Sequence, residues 1–97
     1  MCRYIVLLKF TDQGLAHVRE SLERADAFTI AAAKAGASVE GRFWTIGKYD
    51  GVLILKAPDE ATAAGLILGL GRKNNVTTHM LRAFDEEEFQ EVIGQIA

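Results

Sequence analysis

The stretch SVEGRFWTIGKYDGVLILKA, residues Ser38–Ala57, holds two runs of strand-forming residues separated by a short polar segment. β-Branched and aromatic residues are enriched in strands, so Ser38–Ile46 and Gly51–Ala57 predict two β-strands. The pair Asp50-Gly51 between apolar runs is a strong turn signal, because glycine adopts the positive φ that a tight bend requires. The stretch therefore predicts an antiparallel hairpin whose register depends on the loop length.

A strand and a helix are predicted before the hairpin, and a helix and a strand after it. Apolar residues recur every three or four positions from Leu15 to Ala35, which is typical of one helix face, and Pro58-Asp59 is a helix-start pair. The flanking elements are a strand over Arg3–Phe10, a helix through Leu15–Ala35, a helix over Glu60–Gly71 and a strand over Asn75–Phe84. This βαββαβ order predicts one α+β domain over residues 1–97 with a ferredoxin-like fold, a four-stranded antiparallel sheet carrying two helices on one face.

A further helix is predicted at the C-terminal end of the chain. Asp85 is the expected N-cap, and Glu88 three residues later completes a capping box. Phe84 and Phe89 have the spacing of a hydrophobic staple across this cap. The apolar face of the helix would consist of Phe89, Val92, Ile93 and Ile96.

Composition and charge limit the classes of partner. The 97 residues are 49% hydrophobic and 25% charged, with a formal net charge of -2. Basic residues are scattered and do not alternate with aromatic ones, so a nucleic-acid surface is not expected. No apolar run approaches the roughly 20 residues that span a bilayer, and no export signal precedes the first strand, so no membrane association is expected.

Cys2 is the only cysteine of the chain. An intrachain disulfide or a cysteine-rich zinc site would need at least two, and this usage fits a reducing compartment. We therefore expect a cytoplasmic protein.

The central strands predict a homodimer. In the first strand, Tyr4, Val6 and Leu8 point to one face of the sheet while Ile5 and Leu7 point to the other, so both faces look buried. Two helices cover only one face, and a second copy of the same sheet is the simplest cover for the other. In the alternative, the C-terminal helix folds over that face. Pairing of sheet edges could build a higher oligomer.

The second strand suggests a ligand site. If Val39 and Phe43 face the helices, Glu40, Arg42 and Trp44 lie together on the opposite or dimer-facing side. An aromatic ring, a cation and a carboxylate there resemble the lining of a small-molecule pocket. The alternative is a surface Glu-Arg pair beside an interface tryptophan.

Motifs for catalysis or metal binding are weak. His79, in the fourth predicted strand, is the best general base by residue type, with a hydrogen-bonded strand histidine as the alternative. Neither His17 nor His79 has a second ligand at a metal-binding spacing, so no metal site is predicted. Gly69 and Gly71 end a helix, whereas a dinucleotide fingerprint opens one. The acidic run Asp85–Glu88 is explained by helix capping.

The segment GKYDG, residues 47–51, resembles the motif of the GYD-domain family of small proteins. RYIVLLKFTDQG near the start, WTIGKYDGVLIL and LRAFDEEEF also resemble the family pattern, so the likeness covers nearly the whole chain. The resemblance implies a ferredoxin-like dimeric α/β barrel arrangement and no assigned reaction. It identifies Gly47, Tyr49 and Asp50 as motif residues, with no catalytic role.

Two functions of different classes follow from these patterns. The first is a homo-oligomeric domain of unknown biochemical function that binds a small molecule or has a structural role. The second rests on fold analogy and is a cofactor-free monooxygenase or isomerase with a polar cavity lined by Arg42, Trp44 and His79. A third and weaker hypothesis is haem binding at His17 or His79. The sequence identifies no cofactor.

Overall fold

The computed structural model, which describes residues 1–97, contains four strands and four α-helices. A 3₁₀ turn over Val18–Glu20 separates the first two helices. The bounds are β1 Cys2–Phe10, α1 Asp12–Ala16, α2 Ser21–Lys34, β2 Ser38–Trp44, β3 Gly51–Ala57, α3 Glu60–Gly71, β4 Val76–Ala83 and α4 Glu86–Gly94. None of these helices is both long and apolar enough to cross a membrane.

The strands form one antiparallel sheet in the order β2-β3-β1-β4. The two central strands, β1 and β3, belong to different halves of the chain and are each followed by a helical segment. This is the ferredoxin-like arrangement, and the predicted α+β fold is confirmed.

The hydrophobic core lies between one face of this sheet and helices α2 and α3. Val6 of β1 and Leu55 of β3 are fully buried at its centre. Small residues on the helices, such as Ala32 and Ala63, allow α2 and α3 to approach the sheet closely. The core residues are Tyr4, Val6, Phe28, Ala32, Ala37, Leu53, Leu55, Ala57, Ala63 and Ile67.

The first predicted helix is broken into α1 and α2. Thr11 caps α1 by accepting a hydrogen bond from Gly14 N–H, and α1 ends at Ala16. The predicted apolar face is wrong over its first half, because Leu15 and Leu22 are 62% and 60% exposed. Gly14 lies directly against the backbone of Asn75, where a Cβ would come within 1.9 Å of the carbonyl oxygen. This close approach places α1 beside the start of β4, and α1 and α2 do not form one continuous helix.

Strand β2 contains a β-bulge that the sequence did not reveal. Val39 pairs with Leu55, but the next pair on β3 is Gly41 with Ile54, so Glu40 is an extra residue. An extra residue reverses which side of the sheet the following side chains occupy, relative to an unbroken strand.

The bulge separates the side chains that we expected to share a face. Arg42 and Trp44 lie on the helix side of the sheet, whereas Phe43 lies on the opposite side and is 59% exposed. The interpretation that Phe43 faces the helices with Val39 is wrong. The expected common face of Glu40, Arg42 and Trp44 is wrong for the same reason.

The sheet face turned away from the helices, which we call the open face, is apolar and uncovered. Leu7 lies between Val52 and His79 in the strand register, so the apolar residues form one continuous surface. Leu81, which pairs with Ile5 from the edge strand β4, is 50% exposed. The open face consists of Ile5, Leu7, Phe43, Val52, Ile54, His79 and Leu81.

Helix α4 does not cover the open face. Its start is as predicted: Asp85 and Glu88 form a capping box, and the Phe84 and Phe89 ring centroids are 6.4 Å apart. The helix buries none of its residues, and Ile93 is 53% exposed. The alternative in which this helix folds over the sheet is therefore wrong for the single chain.

Candidate functional site

A cleft opens between α2 and the helix side of the sheet. The space within it that a water-sized sphere can occupy is about 70 Å³. Ten of its 15 lining residues are hydrophobic, so its interior suits an apolar molecule. The apolar walls include Leu8, Phe10, Phe28, Leu53, Leu70 and Val76. Ser21, Arg24, Arg42 and Asp50 supply the polar groups.

Trp44 and Arg42 reach the cleft because of the bulge in β2. Trp44 lies opposite Gly51 of β3 in the register. A Cβ at Gly51 would lie 3.2 Å from the carbonyl oxygen of Phe43, so a larger residue at this position would press on the backbone of β2 next to Trp44. Trp44 is 44% exposed and therefore lies at the mouth of the cleft.

Arg42 is held by α2. Its Nη2 donates to Asp26 Oδ1 at 2.7 Å, and its Nη1 donates to Thr29 Oγ1 at 3.4 Å. The ion pair is partly exposed, with 36% of the arginine and 63% of the aspartate side chain accessible. The pair connects β2 to α2 beside the cleft.

Arg24, on α2, is the second cation of the cleft. Its Nη1 donates to the carbonyl oxygen of His17 at 2.9 Å, and Glu20 lies 4.0 Å away. Its Nη2 is shielded from solvent and has no hydrogen-bond partner. A shielded N–H group without an acceptor is unfavourable, and this is the one shielded side-chain nitrogen or oxygen of the chain that lacks a partner.

Asp50 closes the end of the cleft at the hairpin bend. Its carboxylate oxygen Oδ2 accepts a hydrogen bond from Phe10 N–H at 2.8 Å. Its own N–H donates to the carbonyl oxygen of Leu8, also at 2.8 Å. Asp50 thus joins the hairpin to β1 through both its backbone and its side chain.

The other two motif residues shape the bend. Gly47 has a φ of +143°, a conformation that favours glycine. The Tyr49 ring meets the His79 ring edge-on, with centroids 5.8 Å apart and an angle of 73° between the ring planes. His79 pairs with Leu7 in the register, so this aromatic pair belongs to the open face.

Glu40, the bulge residue, lies outside the cleft. Arg3 Nε donates to Glu40 Oε1 at 2.7 Å, and this hydrogen bond lowers the pKa of the Glu40 carboxyl below its ordinary value of 4.5. The same hydrogen bond raises the pKa of Arg3. Arg3 also lies 3.8 Å from Asp85 and 3.6 Å from Glu88, so the pair anchors β2 near the start of α4.

The four predicted ligand-binding residues divide between two sides of the sheet. Arg42 and Trp44 line one cleft, whereas Glu40 and His79 lie on the opposite side. The polar cavity of Arg42, Trp44 and His79 that the enzyme hypothesis requires is therefore not formed within one chain. Arg24 also lines the cleft and was not among the predicted residues, although its position one turn before Phe28 on the first predicted helix was a visible signal.

The histidines and acidic residues do not converge elsewhere. No group of three or more His, Cys, Asp or Glu side chains is positioned to hold a metal ion. His17 is exposed, and its Nδ1 lies 2.9 Å from the carbonyl oxygen of Gln13 on its own helix.

Comparison with known proteins identifies a family and a fold. The family model described as GYD domain matches residues 4–93. The crystal structure of the leucine response regulatory protein LrpA from Mycobacterium tuberculosis is similar, with a TM-score of 0.66 and 14% sequence identity. The match covers 87% of this chain and 51% of that chain, so this chain spans about half of LrpA, and the likeness shows the fold alone. No curated protein matches the sequence.

Proposed function

This chain belongs to the GYD domain family, and we propose that it is a homodimeric module that binds a small apolar molecule in the cleft beside α2. The observation that carries the proposal is the lining of the cleft, which is mainly hydrophobic with a few polar groups at defined positions. Small-molecule sites in proteins combine these properties, because apolar walls supply affinity and a few polar groups orient the ligand.

The open face supports the homodimer. Soluble monomers rarely expose large continuous apolar surfaces, and this one crosses all four strands. Charged residues at its edge, such as Lys9, Lys56 and the Arg3–Glu40 pair, give it the apolar centre and polar rim of a protein interface. Two copies related by a two-fold axis would bury the same surface on each chain.

The proposal includes two further expectations. Residues 1–97 act as one domain, for which a single cooperative unfolding transition is the expected result. The protein resides in the cytoplasm, in agreement with its single cysteine, and cell fractionation tests this.

Trp44 provides a direct test of ligand binding. It is the only tryptophan of the chain and lies at the mouth of the cleft, so its fluorescence reports occupancy without a label. We expect at least one compound from a panel of indole, 1-octanol, octanoate and leucine to change this emission saturably and to raise the melting temperature. Leucine is included because LrpA is named for a leucine response.

A pair of substitutions on α2 locates the binding. Ala25→Phe fills the cleft and should weaken binding at least tenfold, with Ala25→Leu as a smaller filling variant. Ala33→Phe places the same ring on an exposed position of the same helix and should leave binding unchanged. Equal binding by the Ala25 and Ala33 variants, or no saturable response to any panel compound, would contradict the proposal.

A further inference from the structure

We infer that helix α4 is a dimerisation arm that packs against the hairpin bend of the partner chain, and that the two sheets stack with their ends exchanged. This inference rests on the homodimer of the proposed function and adds a second contact surface and the orientation of the two chains. Its basis is the position of α4, the size of the open face and the distribution of charge.

Helix α4 begins on the same side of the sheet as the open face. Arg3 shares its side of β1 with Ile5 and Leu7 of the open face. The Arg3 Nη1 atom lies 3.8 Å from Asp85 Oδ2 and 3.6 Å from Glu88 Oε1, at the start of the helix. Beyond this anchor α4 buries none of its residues, and the 50 Å length of the molecule exceeds the roughly 30 Å of the nine-residue strand β1. The helix therefore projects from the sheet on the side that would face a partner.

The open face is small for a stable dimer by itself. Four strands about 4.8 Å apart, with about 20 Å of strand between Arg3 and Lys9, give it a flat area of roughly 400 Å². A stable interface buries about 800 Å² on each partner. One α4 from each chain would supply further apolar area on the same side of the sheet. The exposed apolar residues of this arm are Phe84, Phe89, Val92, Ile93 and Ile96.

The α4 end of the open face is acidic. Three carboxylates of the helix form no ion pair, and the two cations on this side of the sheet, Arg3 and Lys56, already lie close to Glu40. The three unpaired carboxylates belong to Glu86, Glu87 and Glu91.

The opposite end, at the hairpin bend, is basic and has an exposed apolar side chain. Lys9 Nζ donates to the carbonyl oxygen of Lys48 at 3.4 Å, and neither lysine forms an ion pair. Asp50, the carboxylate of the bend, accepts a hydrogen bond from Phe10 N–H. Ile46 is fully exposed. The bend therefore complements both the apolar face and the negative charge of α4.

This complementarity selects one of two simple ways to stack the sheets about a two-fold axis. With the axis along the strands, like ends meet and the two acidic helices lie together. With the axis across the strands, the ends are exchanged and each α4 lies at the hairpin bend of the partner chain. Like charges across an interface are unfavourable and opposite charges fix its register, so the exchanged arrangement is favoured.

Engineered disulfides distinguish the two arrangements. Ile93→Cys on α4 and Ile46→Cys in the bend are combined in a Cys2→Ser chain, and each is also made alone. We expect the combined variant to form covalent dimers on mild oxidation at least tenfold faster than either single variant, read on a non-reducing gel. Ile93→Cys with Leu68→Cys, on the exposed side of α3, gives the rate of random collision. Covalent dimers of Ile93→Cys alone at an equal rate, or a combined variant no faster than the Leu68 control, would overturn the inference.

A charge on α4 measures the contribution of the arm to affinity. Val92→Glu should raise the dimer Kd at least tenfold in sedimentation equilibrium, because it buries a carboxylate against the partner. Gln90→Glu adds the same charge about 200° away around the helix and should change the Kd less than threefold. Circular dichroism of both variants should match that of the unmodified protein, since α4 buries no residue within its own chain.

The outcomes separate this inference from the proposed homodimer. A dimer that Leu81→Glu dissociates and Val92→Glu leaves intact would overturn the role of α4 and keep the homodimer. A monomeric unmodified protein would overturn both.

Discussion

Asp50, at the end of the hairpin bend, forms hydrogen bonds to β1 with both its side chain and its backbone. Its carboxylate accepts a hydrogen bond from Phe10 N–H, and its own N–H donates to the carbonyl oxygen of Leu8. The last residue pair between β1 and β3 is Leu8 with Gly51, so Asp50 extends the contact with β1 by one residue. Tyr49 packs against His79 on the open face, and its carbonyl oxygen accepts a hydrogen bond from Thr45 Oγ1 at 2.6 Å. The motif residues therefore connect the hairpin bend to β1 and to β4, which are distant from it in sequence.

Removal of the Asp50 carboxylate should destabilise the protein. Asp50→Ala leaves the part-buried Phe10 N–H without an acceptor, so we expect the free energy of unfolding to fall by about 1–3 kcal/mol. Asp50→Asn retains a side-chain oxygen and should lose less. Urea denaturation measures both, with Glu91→Ala at an exposed site as the control. The same small effect in all three variants would contradict the assigned role.

At the level of elements, two local irregularities determine where the cleft lies. The break between α1 and α2 places Ser21 at the start of α2 beside the cleft, and the bulge at Glu40 turns Trp44 toward it. Both irregularities arise from contacts between elements. Gly14 abuts Asn75 before β4, and β2 gains an extra residue against β3.

Two glycine substitutions in helices should have opposite effects. Gly14→Ala forces a Cβ against the Asn75 carbonyl and should cost about 1–3 kcal/mol of stability, as overpacked sites do. Gly65→Ala, within α3, meets no atom within 4 Å and should stabilise by about 0.5–1 kcal/mol, because alanine loses less backbone entropy in a helix. Thermal and urea unfolding of both variants provide the measurement. A neutral or stabilising Gly14→Ala would show that α1 does not need its close approach to Asn75.

For the whole molecule, the main feature is the contrast between its two sheet faces. The helix side carries the core and the cleft, whereas the open face exposes apolar side chains from every strand. Helix α4 leaves that face uncovered, with its own Phe89 50% and Ile93 53% exposed. A second copy of the chain would cover the open face through like surfaces.

A charged residue in the open face should prevent dimer formation. Leu81→Glu places a carboxylate beside Ile5 within the proposed interface, where burial of an unpaired charge is strongly unfavourable. Leu68→Glu is the matched control, because Leu68 lies on α3 and is 73% exposed. Sedimentation velocity should show a dimer for the unmodified protein and for Leu68→Glu, and a monomer for Leu81→Glu. A monomeric unmodified protein would contradict the homodimer.

The elements of the fold were predictable because their signals are local. The Asp85–Glu88 capping box, the Asp59 cap of α3 and the hairpin around Asp50 each depend on residues within a few positions of one another. The four predicted site residues do not come together, since Arg42 and Trp44 share the cleft while Glu40 and His79 lie on the other side of the sheet. The single extra residue in β2 accounts for the position of the Arg42 and Trp44 side chains on the helix side of the sheet instead of the opposite side.

The sequence by itself determined the order of strands and helices, the caps that begin α3 and α4, and the apolar character of both sheet faces. Hydrogen bonding within a turn and the alternation of apolar residues are sufficient for these features. Only the tertiary structure decided which side chains meet in the cleft. Arg24 and Trp44 are brought together by the packing of α2 on a bulged strand, and the bulge depends on how two strands fit each other, which neither strand encodes alone.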